Sequence, residues 1–154
     1  MLRKLSHILV AVDDGASSKA AVEHAIALAA AEGARLTFVH VTSTLGGDFA
    51  GDRGAATRVP DPAHSASLCA ARELAEHAHV DADAELLIGY PPRQIAALAD
   101  EVEVDLVVVG SRHLAGAKRL LHGSTSRALL GATRRPLMIV TTPDSPQGDG
   151  RRNS

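Results

Sequence analysis

Apolar residues in this chain fall into short unbroken runs separated by longer stretches of helical period. Ile8 to Val12 is one such run, as expected of a strand covered on both faces. It stops at Asp13 and Asp14. Ser17 or Ser18 then caps a helix that runs to about Glu32 and ends at Gly33, with Val22, Ile26 and Ala29 or Ala30 turned inward. Arg35 to Val41 reads as a second strand. From Thr42 to Val59 the period is lost, and Gly46, Gly47, Gly51 and Gly54 among scattered charges predict a mobile connection. Asp61 and Pro62 supply the N-cap and first-turn proline of a helix reaching about His79, with Ala66, Ala70, Leu74 and Ala78 on one face. Glu85 to Ile88 is a third strand. Gly89 to Pro92 turns into a helix through Ile95, Ala96 and Ala99. Leu106 to Val109, closed by Gly110, is the fourth strand. Ser124 to Leu130 is a short helix, and Leu137 to Val140 a fifth strand.

Strands joined by helical crossovers make an α/β doubly wound parallel sheet with helices on both faces. The strands containing Ile8 and Leu106 are the most uniformly apolar and belong at the centre. Ligands bind such sheets beyond the carboxyl ends of strands, where the order reverses. Asp13, Val41 and Gly110 all stand at strand ends, so neighbouring first and fourth strands would bring them into one crevice. The domain is expected over 1–142. The remainder, Pro143 to Ser154, is proline, glycine and charge, and reads as a disordered tail.

Composition narrows the function classes. The chain has 154 residues, enough for one cored domain, and 45% are hydrophobic. Aromatics make 2%, with Phe38, Phe49 and Tyr90 the whole set, which argues against stacking platforms for single-stranded nucleic acid. Sixteen basic residues against 18 acidic ones argue against any general polyanion partner, so no nucleic acid is expected. Cys69 is the sole cysteine and excludes an internal disulfide and a cysteine-based zinc site; it reads as a small buried apolar residue. The apolar run after Met1 is too short for an export signal or a membrane span, so a cytoplasmic protein without membrane association is the plain reading. The eight histidines show no metal spacing, and His24 and His40 read as structural or exposed.

The segment from Gly110 to Ser126 carries the chemistry. Gly110, Ser111 and Arg112 lead to Gly123, Ser124, Thr125 and Ser126 at a helix start. Glycine lets the backbone come close, and free N–H groups and the helix dipole favour an anion. Arg112, Lys118 and Arg119, with His113 and His122, place cations in the same segment. There is no Walker A lysine and no GxGxxG. Each residue also has a plainer role: Ser124 as an N-cap, Asp13 as a turn former, the cations as solvated surface. No general base stands next to the segment.

The run from Ile8 to Asp13 with Ser17 and Ser18, the Val39 to Val41 strand end, the Gly110 to Ser124 segment and the final Arg135 to Val140 together resemble the universal stress protein family. The resemblance covers about residues 5–141. It implies a five-stranded sheet of order 3-2-1-4-5, a homodimer and, in one subgroup, ATP binding through Gly-x2-Gly-x9-Gly-Ser/Thr. Gly110, Gly123 and Ser124 match that motif. The middle glycine is replaced by His113, with nine residues still separating it from Gly123. By resemblance, Asp13 accepts a hydrogen bond from adenine or ribose, Ala11 and Val12 line the base, and Val41 packs on it. Gly110, Arg112, His113, Gly123, Ser124, Thr125 and Ser126 surround ribose and phosphates. The His113 ring either crowds the nucleotide or reaches its phosphates. The implied function is an ATP-binding stress-response or signalling module with slow hydrolysis at most, the need for Mg²⁺ being open. The alternative is a nucleotide-free dimeric interaction module. In either case the homodimer is expected through strand 137–140. A response-regulator receiver fits less well, because Asp48 and Asp52 lie in the glycine-rich connection and not at a central strand end.

Overall fold

A computed structural model describes residues 3–42, 55–59, 61–113 and 124–143. The elements run β1 (His7–Ala11), α1 (Ala16–Glu32), β2 (Arg35–Thr42), a 3-10 turn (Pro62–His64), α2 (Ala66–His77), β3 (Ala82–Ile88), α3 (Pro91–Glu101), β4 (Leu106–His113), α4 (Ser124–Ala132) and β5 (Leu137–Pro143). The five strands are parallel and ordered β3-β2-β1-β4-β5, as expected. No helix among the described residues is long and apolar enough to cross a membrane.

Alternation along each strand sends side chains to opposite faces, and each face has its own core. Ile8, Val10, Phe38 and Val108 pack with Ala21, Val22, Ala25 and Ile26 of α1 and Leu68, Ala71 and Ala75 of α2. Leu9, Val39, Leu87, Val107 and Val109 pack with Ile95, Leu98 and Ala99 of α3 and Leu129 of α4. Every residue of β1 but the last is buried, and Ile8, Leu9 and Val10 completely so, which fits the unbroken apolar run that follows His7.

Several elements differ from the sequence reading. The N-cap of α1 is Gly15, not Ser17 or Ser18, which are buried inside the first turn. Ser18 Oγ instead accepts the N–H of Asp13 at 2.8 Å, so the hydroxyl closes the strand-to-helix turn. Gly33 ends α1 in the left-handed region (φ 68°), as read. The helix expected to start at Pro62 is interrupted. Asp61 caps only the 3-10 turn, through Ala63 N, and Ser65 re-caps α2 through Leu68 N. The face of α2 is also different: Leu68, Ala71 and Ala75 are buried, while Ala66, Ala70, Leu74 and Ala78 are exposed. Cys69 shares that outward side and is exposed, not buried. β3 begins three residues earlier than read, because Asp83 and Glu85 alternate with inward residues along an outer strand.

β3 is not a bare edge. Val59 N donates to Leu86 O at 2.7 Å and Ile88 N to Thr57 O at 3.0 Å, so residues 55–59 run antiparallel along it. Gln94, buried on α3, holds this segment by accepting Thr57 N at 2.8 Å. Arg58 adds ion pairs to Glu85 (3.2 Å) and Glu101 (2.7 Å). The expected mobile connection otherwise falls in 43–54, outside the described residues. β5 takes in Pro143, the first residue of the expected tail; 144–154 lie outside the described residues as well.

Candidate functional site

The turn from β1 into α1 opens the site. β1 stops at Ala11, and Asp13 bends the chain: its N–H goes to Ser18 Oγ, and its Oδ1 accepts Gly15 N at 2.6 Å. Asp13 itself is exposed. β2 continues past this point to Thr42, so its last residues overhang β1.

Among the described residues, that overhang leaves hydrogen-bonding groups without a ladder partner. Odd-numbered residues of β2 face β1: Arg35 N donates to Ser6 O, and Val39 O accepts Val12 N at 2.8 Å. Even-numbered residues face β3, as Leu36 N donates to Asp81 O and Thr42 O accepts Gly89 N. Val41 therefore points its N–H and C=O toward β1, beyond the point where β1 has turned away. Among the described residues no backbone group pairs with Val41 there.

A cleft of about 130 Å³ lies at this end of the sheet, lined by Ala11, Val12, Asp13, Val41, Gly110 and Thr125. These are six of the residues singled out from sequence, drawn from β1, β2, β4 and α4. Pro91 and Ile95 of α3, with Val39, His40, Val109 and Ser18, complete it. Sequence reading missed these. α3 begins directly after β3, so its first turn lies at the carboxyl ends of the strands, where helix starts gather in this architecture. That was the signal available for Pro91 and Ile95.

The remaining candidates divide. Ser126 is buried on α4 and does not line the cleft. Ser124 opens α4. Gly110 was read as the end of its strand and the start of a loop; it is inside β4. The strand runs on to His113 because β5 pairs with it rung by rung, Gly110 with Val140, Arg112 with Thr142 and His113 with Pro143. Gly110 also has a structural reason to lack a side chain. A Cβ there would overlap the Ser17 carbonyl and stand 2.7 Å from Ser18 N. Gly123, Lys118, Arg119 and His122 lie outside the described residues.

A second, larger cleft of about 570 Å³ opens on the other face of the sheet between α1 and α2. Asp13, Asp14 and Lys19 rim it, and Ala66, Ala70 and Leu74 line it, which is where the outward apolar stripe of α2 goes. Asp13 borders both clefts. Among the described residues no group of three or more histidine, cysteine or carboxylate side chains is placed to hold a metal ion.

The sheet order, the strand-end cleft and the chain's sequence agree with one family. The model of the universal stress protein family matches residues 4–141, and the chain belongs to that family. It is similar to the stress response protein NhaX of Bacillus subtilis, 28% identical with 86% of this chain and 96% of that protein covered. It is likewise similar to the universal stress protein YxiE of the same organism, 30% identical with 86% and 97% covered. Among solved structures it resembles a universal stress protein in complex with cAMP, with TM-score 0.68, 28% identity, and 91% and 99% of the two chains covered.

Proposed function

We propose that this universal stress protein binds an adenine nucleotide, ATP, in the cleft between β1, β2 and β4 and acts as a nucleotide-occupancy module in a cytoplasmic stress response. The observation that carries the reading is the meeting of Ala11, Val12, Asp13, Val41, Gly110 and Thr125 around one strand-end cleft. The cAMP complex of a similar protein supports an adenine ligand. The base fits the apolar part, between Ala11, Val41, Pro91 and Ile95. The N–H and C=O of Val41, without a backbone partner among the described residues, offer the donor–acceptor pair that adenine's N1 and 6-amino group require. Asp13 stands at the rim as an acceptor for ribose hydroxyls, and the start of α4 favours phosphate. ATP serves as a signal by its presence, with hydrolysis slow at most.

The same reading makes the protein a homodimer through β5. The β3 edge is covered by residues 55–59, whereas β5 has no strand on its outer side among the described residues. Met138 and Ile139 are 36% and 37% exposed there. Unpaired edges of this kind seek a partner, and a second copy closes the contact symmetrically.

Calorimetry with ATP tests the site. Val41→Trp should fill the cleft and abolish binding while leaving the thermal transition in place. Equal affinity in that variant would reject the cleft. A wild type with no affinity at millimolar ATP would favour the nucleotide-free interaction module.

A further inference from the structure

The regular parallel ladder between β1 and β2 stops one rung short of Val41, and a side chain takes the carbonyl of that rung. With Val12 N–H bonded to Val39 O, the next rung of a parallel pair would run from Val41 N–H to Val12 C=O. Val12 C=O instead accepts from His40 Nδ1 at 2.7 Å. A carbonyl can only accept, so Nδ1 carries the proton. His40 lies between Val39 and Val41, on the residue of β2 that stands opposite Val12. The ring is half-buried and lines the same cleft as Val41.

We infer that His40 is a positioning residue: by occupying the Val12 carbonyl it keeps the Val41 N–H and C=O free to read the hydrogen-bonding edge of a base. This rests on the nucleotide reading above and adds a specificity determinant to it. The side-chain bond satisfies the buried Val12 carbonyl, so leaving the backbone rung open costs no orphaned acceptor at Val12. Val41 N–H can then donate to N1 of adenine while Val41 C=O accepts from the 6-amino group. Hypoxanthine presents the reverse pattern, a donor at N1 and an acceptor at position 6. The open rung therefore selects adenine over hypoxanthine. Without an imidazole at position 40, the Val12 carbonyl would recapture Val41 N–H and the edge would close.

The test compares wild type, His40→Leu and His40→Asn by backbone amide hydrogen exchange without ligand, and by titration with ATP and inosine triphosphate. Asn places an N–H donor near the position of Nδ1, and Leu places none. In wild type the Val41 amide should exchange at least about tenfold faster than that of Val39, which is in the ladder. His40→Leu should slow Val41 exchange by about tenfold and bring the preference for ATP over inosine triphosphate down from about tenfold to near parity. His40→Asn should restore both. Unchanged Val41 exchange in His40→Leu would overturn the inference whatever the nucleotide data show. The predicted exchange change in a wild type that binds neither nucleotide would overturn the nucleotide reading instead and leave the hold of His40 on Val12 standing.

Discussion

Gly110 lies so close to Ser17 that the helix backbone takes the place a β-carbon would fill. The contact seats the first turn of α1 on β4, directly beneath the cleft. A glycine that sequence motifs connect with nucleotide approach is thus fixed by packing between two of the protein's own elements. Neither wall can yield cheaply, since both are backbone. Gly110→Ala should destabilise the fold by about 3 kcal/mol, the upper part of the range for overpacking a core. Urea unfolding of the ligand-free protein reads this directly. A loss under about 0.5 kcal/mol would mean that α1 shifts freely and that the glycine serves the ligand alone.

The opposite pole of the sheet governs acid stability. His7 is buried, with Nε2 donating to Thr37 Oγ1 at 2.8 Å and Nδ1 accepting from the Arg35 guanidinium at 3.2 Å. Burial, then the Arg35 charge, lower its pKa below the ordinary 6.5, against smaller opposing effects that include the Asp105 and Asp83 charges. The folded state thus holds the neutral ring while the unfolded chain takes a proton. Stability is fully present above the ordinary value near 6.5 and declines as pH falls from there toward the lowered folded pKa. Asp105 adds a second loss at lower pH. The backbone N–H and hydroxyl of Ser6, and the N–H of His7, hold its carboxylate below the ordinary 3.8, so that contribution fades as pH falls from 3.8. His7→Gln should flatten the upper part of this decline and leave the lower part. Denaturation midpoints between pH 7 and pH 3 check it, and an unchanged upper slope in the variant would contradict it.

The two exposed large apolar residues of β5, Met138 and Ile139, give the dimer its test. Ile139→Lys should convert the protein to monomer in light scattering without lowering the unfolding midpoint by more than a few degrees. Val140 is unsuitable for this purpose, since it is only 8% exposed and packs with the α1 core. A monomeric wild type at micromolar concentration would remove β5 as a stable interface.

The centre of the sheet was legible because β1 and the first half of β4 are buried on both faces and therefore continuously apolar, Ile8 to Val12 most of all. The inward face of α1 was legible for a related reason: Val22 and Ile26 are large apolar residues at helical spacing, with Ala29 continuing the row. α2 was not, because Leu68 and Leu74 are equally apolar and each belongs to an alanine-containing row of helical period. Leu68, Ala71 and Ala75 are the row that packs into the core with Ile8, Val10 and Phe38 of the sheet. Ser17 and Ser18 fitted a cap by composition, but the helix already starts at Ala16 behind Gly15, and Asp13 N–H takes the Ser18 hydroxyl. In the site, the strand-end residues Asp13 and Val41 were legible from topology alone. Pro91 and Ile95 follow from α3 starting at the carboxyl end of β3, whereas the place of His40 depends on β2 overhanging β1, which the sequence does not show.

Backbone NMR during an ATP titration is the most direct measurement of the central claim, because Asp13 borders two clefts and only one is assigned to nucleotide. Saturable shifts at the amides of Ala11, Val41, Ile95 and Thr125, with Ala70 and Leu74 unmoved, are the predicted result. No saturable shift up to millimolar ATP, or shifts confined to Ala66, Ala70 and Leu74, would contradict it.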